Sequence, residues 1–180
     1  LAGLLDASEL VNWSYGAEVG DISQPILIDD NYIVAILTLS KEEGKKPPQI
    51  IGVDPVGSIL KEYFETGKMG TPHTYKVEGF GEDFIPLATD FTHIDEIRQV
   101  NDEQCFIMAR KLARKEGLFS GGSAGAAIHI ALEVAEECDQ REENAIIVVI
   151  LPDAGNPYLS KVYNDDWLRE NGFDVDSWEC

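Results

Sequence analysis

The chain has few cysteines and little positive charge, and each shortage excludes a class of function. Its three cysteines are far apart and form no Cys-x-x-Cys pair, so they indicate neither a zinc site nor a disulfide framework. Such cysteine use is typical of a reducing compartment, and we expect a cytoplasmic protein. With 14 basic and 33 acidic residues the net charge is −19, which disfavours nucleic-acid and anionic-membrane partners. No apolar run is long enough for a membrane span, and no metal site is expected.

What the sequence does contain is an α/β pattern from residue 50 onward. Ile50–Asp54 predicts a short strand that ends at a turn. Ala145–Leu151 is an uninterrupted apolar run, as expected of a strand covered on both faces in a parallel sheet. Asn101–Gly117 predicts a helix, because an Asn-x-x-Gln capping pair opens it and a glycine closes it. Alternating strands and helices predict an α/β fold with a parallel sheet.

The most informative stretch is Phe119–Ala127, which reads FSGGSAGAA and places three glycines around Ser123 at the start of a helical pattern. It satisfies Gly-x-Ser-x-Gly, the nucleophile turn of serine hydrolases, but that chemistry needs an acid and then a histidine later in the chain. Only His129 follows the serine, and it falls on the same helix, so the hydrolase is disfavoured. Two interpretations remain. Ser123 caps the helix, or the turn offers free N–H groups to an anionic or acceptor group of a ligand.

Five segments carry a family resemblance, and in chain order they read IIGVDPVGSIL, YKVEGFGEDFIP, NDEQCFIMARKLARKEGLFSGGSAGAA, VVILPD and YLSKVYNDDWLRENGF. Together they resemble the C-terminal part of the catalytic domain of the cystathionine β-synthase and cysteine synthase family, which depends on pyridoxal phosphate. The resemblance implies a parallel-sheet α/β sandwich lobe of the tryptophan-synthase-β-like fold (fold type II), and an incomplete one. We expect residues 1–45 to lie outside it and residues 46–180 to form this C-terminal portion.

The resemblance implies a role for the serine turn and for the segment after the apolar run. Ser123 would hydrogen-bond the pyridine nitrogen of pyridoxal phosphate, with Gly121 and Gly122 forming the cofactor-binding turn. Pro152 and Asp153 would lie near the ring and support it without reacting. No catalytic residue can be assigned by the resemblance.

On the substrate side, the resemblance implies that Gly79 and Gly81 form a loop where the backbone approaches the substrate closely. Glu82 departs from the family pattern, which commonly has a tyrosine after the second glycine. A carboxylate there would be unfavourable beside the carboxylate of an amino acid, so the departure bears on substrate preference.

The implied reaction is β-replacement on serine, with homocysteine or sulfide as the incoming thiol, in cysteine biosynthesis or transsulfuration. Two family elements have no counterpart in the sequence, namely the Schiff-base lysine of a Ser-x-Lys-Asp-Arg segment and the Gly-Thr-Gly-Gly-Thr phosphate loop. We therefore expect an incomplete, inactive form, a fragment or an altered gene product. The alternatives are a non-catalytic pseudoenzyme that is the partner of an intact homologue, and the disfavoured serine hydrolase. A homo- or hetero-oligomer is expected.

Overall fold

The computed structural model describes residues 48–87 and 89–178, and these form a mixed α/β structure. Strands β1 (Ile51–Pro55) and β2 (Glu96–Val100) pair in parallel, with Ile51 opposite Glu96 and Pro55 opposite Val100. The parallel pairing agrees with the predicted fold class. The predicted segment 1–45 lies outside the described residues. The helices are α1 (Leu60–Thr66), α2 (Asp102–Glu116), α3 (Gly122–Gln140) and α4 (Asp165–Glu170), with short 3-10 turns at Phe91–His93, Asn156–Tyr158 and Val175–Ser177.

The helix predicted over Asn101–Gly117 is confirmed together with both of its ends. Asn101 Oδ1 accepts a hydrogen bond of 2.9 Å from the Gln104 backbone N–H, and Gln104 Oε1 accepts one of 2.9 Å from the Asn101 N–H. Gly117 ends the helix in the left-handed conformation, with φ of 71°. This reciprocal capping satisfies two backbone donors that the helix cannot pair internally. The start of α2 is therefore fixed directly after β2.

Helices α2 and α3 pack closely because a glycine stands at their contact. A β-carbon on Gly125 would overlap the Cys105 carbonyl oxygen and would lie 2.7 Å from the Ala109 backbone nitrogen. Both of those atoms belong to the backbone of α2, so they cannot move aside alone. The core beside this contact contains the Phe106 ring, which packs edge-on against Trp167 and Phe173. Glycine thus sets the spacing of the two longest described helices.

The prediction that Ala145–Leu151 forms a buried strand is wrong for this structure. The segment makes no backbone hydrogen bond to the rest of residues 48–87 and 89–178, and Ile146 and Val148 are 95% and 79% exposed. A strand needs a neighbour to pair its N–H and C=O groups, whereas the two described strands pair with each other. The apolar composition is compatible with a strand, but the segment does not form one because it pairs with no described strand.

Candidate cofactor site

The serine of FSGGSAGAA lies in the first turn of α3, one residue inside the helix. The helix begins at Gly122 and its N-cap is Gly121, so the interpretation of Ser123 as the helix cap is wrong. Ser123 is only 9% exposed, and no hydrogen bond joins its hydroxyl to the part of the chain that the structure describes. The first N–H groups of a helix also lack intrahelical partners and lie at its positive end. The turn therefore presents a sheltered hydroxyl beside free backbone donors.

Two glycines before the serine allow other segments to approach the turn. A β-carbon on Gly121 would overlap Asp153 Oδ1 and would lie 2.5 Å from Tyr158 Cε2. A β-carbon on Gly122 would lie 2.8 Å from Val77 Cγ2. Any larger residue would therefore push these three side chains off the turn. The wall around the serine is built by contacts that only glycine permits.

The segment with Asp153 is tied to the serine turn by its backbone. Ser120 and Ala154 form an antiparallel bridge, and the Gly155 N–H donates a 3.0 Å hydrogen bond to the Phe119 carbonyl. Tyr163 adds a 2.6 Å hydrogen bond from its hydroxyl to the Ser120 carbonyl. The resemblance implied that Asp153 lies near the cofactor ring, and the structure brings its segment to the turn that carries Ser123. Pro152, its predicted companion, is exposed at the edge of this arrangement.

Polar atoms without partners surround this turn. Tyr158 donates a 2.5 Å hydrogen bond to Asp153 Oδ2, while Asp153 Oδ1 is buried and unpaired among the described residues. The Ser120 hydroxyl is likewise buried and unpaired within that part of the chain, in a residue that is 4% exposed. Burial raises the pKa of the Tyr158 hydroxyl, and its bond to the Asp153 carboxylate raises it further. Buried polar atoms usually have partners, so these two mark a place for a polar ligand or water.

The predicted substrate-side loop is fixed at both glycines. Gly79 and Gly81 have φ of 91° and 78°, a region that other residues rarely adopt. A β-carbon on Gly81 would lie 2.5 Å from Cδ of Pro55, the last residue of β1. The position of a β-carbon on Gly79 lies 3.9 Å from the Tyr158 hydroxyl oxygen. Gly79 thus approaches the serine turn through Tyr158, whereas Gly81 packs against the end of the sheet.

Glu82, the departure from the family pattern, is held by its backbone. Its N–H donates a 3.0 Å hydrogen bond to the Ser58 hydroxyl, and that hydroxyl donates a 3.1 Å bond back to the Glu82 carbonyl. The Ile59 N–H donates to the same carbonyl at 3.0 Å. The position of the residue after the second glycine is therefore set by the turn that follows β1.

The histidines give no support to a serine hydrolase. His129 Nε2 lies 3.3 Å from Glu133 on the same helix, and His93 Nδ1 lies 3.1 Å from Asp90. Neither contact involves the serine, and no hydrogen bond reaches the Ser123 hydroxyl from any described residue. Across residues 48–87 and 89–178 there is also no cluster of His, Cys, Asp or Glu that could hold a metal ion. In the same residues, no helix combines the length and apolar character needed to cross a membrane.

Sequence reasoning missed Tyr158 and Lys161, although both belong to a quoted family segment. Tyr158 contacts Gly121 and Asp153, and Lys161 forms an ion pair with Glu78, the residue before Gly79. The signal was the spacing of YLSK after Pro-Asp, but a tyrosine and a lysine at a turn show nothing of their partners by themselves. Only the fold shows that this segment contacts Gly121 through Tyr158 and Glu78 through Lys161.

A parallel pair of strands and a glycine-lined helix N-terminus are features of α/β proteins that hold anionic or acceptor ligands at such a turn. The family model described as pyridoxal-phosphate dependent enzyme matches residues 31–153, and the chain belongs to this family. The match begins at residue 31, ahead of the boundary that we expected near residue 45.

The relatives confirm the resemblance to cystathionine β-synthases and cysteine synthases. The chain is 45% identical to cystathionine beta-synthase of Oryctolagus cuniculus over 125 residues, which are 69% of this chain and 22% of that protein. It is 39% identical to cysteine synthase of Buchnera aphidicola subsp. Schizaphis graminum over 133 residues, or 73% of this chain and 41% of that protein. A crystal structure of cysteine synthase from Entamoeba histolytica superposes with a TM-score of 0.56 at 34% identity, covering 67% of this chain and 34% of that one. The chain thus spans between about a fifth and two fifths of these relatives.

The residues at the serine turn fit one end of the family's cofactor. The Ser123 hydroxyl is sheltered and unpaired among the described residues, and the unpaired Ser120 and Asp153 atoms lie at the same turn. Because residues 121 and 122 are glycines, neighbouring groups can approach the backbone of the turn closely. The two serine hydroxyls can donate a hydrogen bond, as an acceptor nitrogen at the edge of an aromatic ring requires, whereas an ionised Asp153 carboxylate can only accept one.

Proposed function

We propose that this chain forms the pyridine end of a pyridoxal phosphate site, in an enzyme that replaces the β-substituent of serine. The observation that carries the proposal is the Ser123 hydroxyl at the positive end of α3: the residue is 9% exposed, and its hydroxyl has no hydrogen-bond partner among the described residues. Gly121 and Gly122 would shape the turn beneath the ring, and Asp153 would support it from the adjoining segment. The family match supports the choice of cofactor.

The residue type at position 123 bears on the kind of chemistry. When bound, the cofactor withdraws electrons from the amino acid attached to it, and its strength depends on the charge of its ring nitrogen. A serine hydroxyl is neutral and can hydrogen-bond that nitrogen, but it does not hold a proton on it as a carboxylate would. Ser123 would therefore keep the ring a mild electron sink, which favours loss and replacement of a β-substituent over transamination.

The substrate side is assigned to the loop with Gly79 and Gly81. Their positive φ values bring backbone close to a ligand at a fixed position against the end of β1. Serine is the proposed amino-acid substrate, and homocysteine or sulfide is the proposed thiol, as the names of cystathionine beta-synthase and cysteine synthase relatives suggest. The product places the reaction in cysteine biosynthesis or transsulfuration. Glu82 lies beside this loop, and its carboxylate would repel the carboxylate of homocysteine. Sulfide carries no carboxylate and is therefore the favoured thiol.

We further propose that these 180 residues do not catalyse the reaction alone. β-Replacement through this cofactor requires a lysine that holds it covalently and moves a proton. The sequence has no Ser-x-Lys-Asp-Arg segment, and Lys161, on the segment of Tyr158, is engaged by Glu78. The residues at the serine turn can hold and orient a ring, but none of them can take the place of that amine.

A second candidate is a non-catalytic partner of an intact homologue. The specific observation in its favour is Ala145–Leu151, an apolar run without a partner strand among the described residues, in which Ile146 is 95% exposed. Exposed apolar segments of this length mark interaction surfaces. Size-exclusion chromatography with and without a full-length cystathionine β-synthase distinguishes this candidate, because it requires a mixed oligomer of defined size.

The test of the main proposal is a titration of the chain with pyridoxal phosphate, followed by absorbance and by fluorescence of the bound cofactor. We expect saturable binding that Ser123→Ala weakens, whereas Ser177→Ala, at an exposed serine with one local hydrogen bond, leaves it unchanged. Equal binding by both variants contradicts the role of Ser123. If borohydride reduction attaches the cofactor covalently to a lysine of this chain, the chain does contain a Schiff-base lysine, and the proposal that it lacks one is wrong. Covalent labelling of Ser123 by a fluorophosphonate would support the serine-hydrolase interpretation instead.

A further inference from the structure

The ring of Tyr158 lies between the two glycine turns of the candidate site. Its Cε2 atom would be 2.5 Å from a β-carbon on Gly121, and its hydroxyl oxygen would be 3.9 Å from a β-carbon on Gly79. The ring therefore packs against the turn that carries Ser123, and its hydroxyl end lies near the loop on the substrate side.

The hydroxyl of Tyr158 fixes that ring. It donates a 2.5 Å hydrogen bond to Asp153 Oδ2, and the other carboxylate oxygen of Asp153 lies against Gly121. A hydrogen bond from a neutral hydroxyl to a carboxylate is stronger than one between two neutral groups. The contact thus sets the positions of the ring and of the Asp153 carboxylate together, directly against the N-cap of α3.

The same segment also holds the loop from the other side. Lys161, three residues after Tyr158, forms an ion pair with Glu78, which directly precedes Gly79. The first part of that loop is held by Asp102, whose carboxylate accepts 2.8 Å hydrogen bonds from the Lys76 and Val77 N–H groups. The segment around Gly79 is therefore held on one side by the hydrogen bonds to Asp102 of α2 and on the other by the ion pair with Lys161.

We propose that Tyr158 is a positioning residue that couples the substrate-side loop at Gly79 to the cofactor turn at Gly121–Ser123. A change in the position of the loop would alter the position of the Tyr158 hydroxyl, and with it the hydrogen bond that orients the Asp153 carboxylate against Gly121. Tyr158 acts on the cofactor through Asp153 and the turn, and does not itself touch the reacting atoms. The part of the inference that concerns the cofactor rests on the proposed function.

The coupling is tested first in the chain without cofactor, by amide hydrogen exchange. Tyr158→Phe keeps the ring but removes the bond to Asp153. We expect faster exchange both at the Val77 and Glu82 amides that flank the loop, which donate to Asp102 and Ser58, and at the Gly125 amide, which donates to the Gly121 carbonyl. Asp153→Ala should have the same effect, and the double variant should exchange no faster than either single variant. Asp153→Asn retains an oxygen acceptor for the Tyr158 hydroxyl and should restore most of the protection. Faster exchange at only one of the two turns, or at neither, overturns the coupling.

The matched control is Tyr63→Phe, which removes a hydroxyl from a ring that packs on Phe91, away from both turns. It should leave exchange at the two turns unchanged, and equal effects of Tyr63→Phe and Tyr158→Phe would show a general loss of stability and overturn the proposal.

The second arm uses pyridoxal phosphate itself as the probe. We expect Tyr158→Phe to weaken its binding about tenfold, which corresponds to ~1.4 kcal/mol, and to change the circular dichroism of the bound cofactor. If the unsubstituted chain binds the cofactor and Tyr158→Phe changes neither affinity nor dichroism, the positioning role is overturned while the proposed function stands. If the unsubstituted chain binds no cofactor, the proposed function fails, and the exchange experiment still decides the coupling of the two turns.

Discussion

The close contact between α2 and α3 allows us to predict how much the free energy of unfolding changes when Gly125 is replaced. In Gly125→Ala, the added β-carbon would overlap the Cys105 carbonyl oxygen and come within 2.7 Å of the Ala109 nitrogen. Both atoms are part of the α2 backbone, so the strain can be relieved only by moving one helix against the other. Alanine also favours a helix over glycine by about 1 kcal/mol, which works in the opposite direction.

The magnitude follows from these two opposing effects. Overpacking of a well-packed core costs typically about 1 to 3 kcal/mol, and backbone neighbours place this site at the upper end of that range. After the gain in helix propensity, we expect a net loss of ~2 kcal/mol in the free energy of unfolding. Equilibrium unfolding in urea, followed by far-ultraviolet circular dichroism, measures it directly.

Gly122→Ala is the matched control, because it makes the same chemical change in the same helix. Its β-carbon would lie 2.8 Å from Val77 Cγ2, a side-chain methyl group that can shift. We therefore expect Gly122→Ala to cost less than Gly125→Ala. If Gly125→Ala is as stable as the unsubstituted chain, or more stable than Gly122→Ala, the close approach of α2 and α3 is refuted.

Three further predictions concern other parts of the structure. Asn101→Ala removes the cap of α2 and should cost about 1 kcal/mol in urea unfolding, and no change would contradict the capping box. Phe106→Ala empties the centre of the aromatic cluster and should cost about 3 to 5 kcal/mol by the same assay, so a cost near zero would place the ring outside the core. Burial raises the pKa of Asp54 above its ordinary 3.8, so the folded state favours the protonated carboxyl. Its contribution to stability is then full below pH 3.8 and is lost as pH rises through the folded pKa; Asp54→Asn should flatten this part of a stability–pH profile, and an unchanged profile would contradict the shift.

The parts of the fold that the sequence predicted are those fixed by local chemistry. The capping pair at Asn101 and the glycine at 117 specify the ends of α2 through contacts within a few residues, so they are visible in the letters alone. Ala145–Leu151 was predicted wrongly because a strand depends on a neighbour that composition does not reveal. Strand β2 was not singled out because its charged residues interrupt the apolar pattern: Arg98 bonds Glu137 of α3 at 2.7 Å, a partner far away in sequence.

The candidate site divides in the same way. The glycines and Ser123 were found because a run of small residues before a helix indicates one of a few structures: a nucleophile turn, a helix cap or a ligand-binding turn. The cap interpretation failed because the helix begins one residue ahead of the serine, a shift that propensity does not resolve. Tyr158 was missed because its importance depends on its contacts with Gly121 and Asp153, which are a property of the fold.

The sheet explains why the substrate-side loop and the serine turn meet. Ligands in parallel α/β structures bind beyond the carboxyl ends of the strands. Here β1 ends at Pro55, which packs on Gly81, and β2 is followed by Asp102, whose carboxylate accepts hydrogen bonds from the loop backbone at Val77. Val77 in turn contacts Gly122 in the first turn of α3. Both strand ends therefore hold the loop, and the loop in turn contacts the first turn of the helix that carries Ser123.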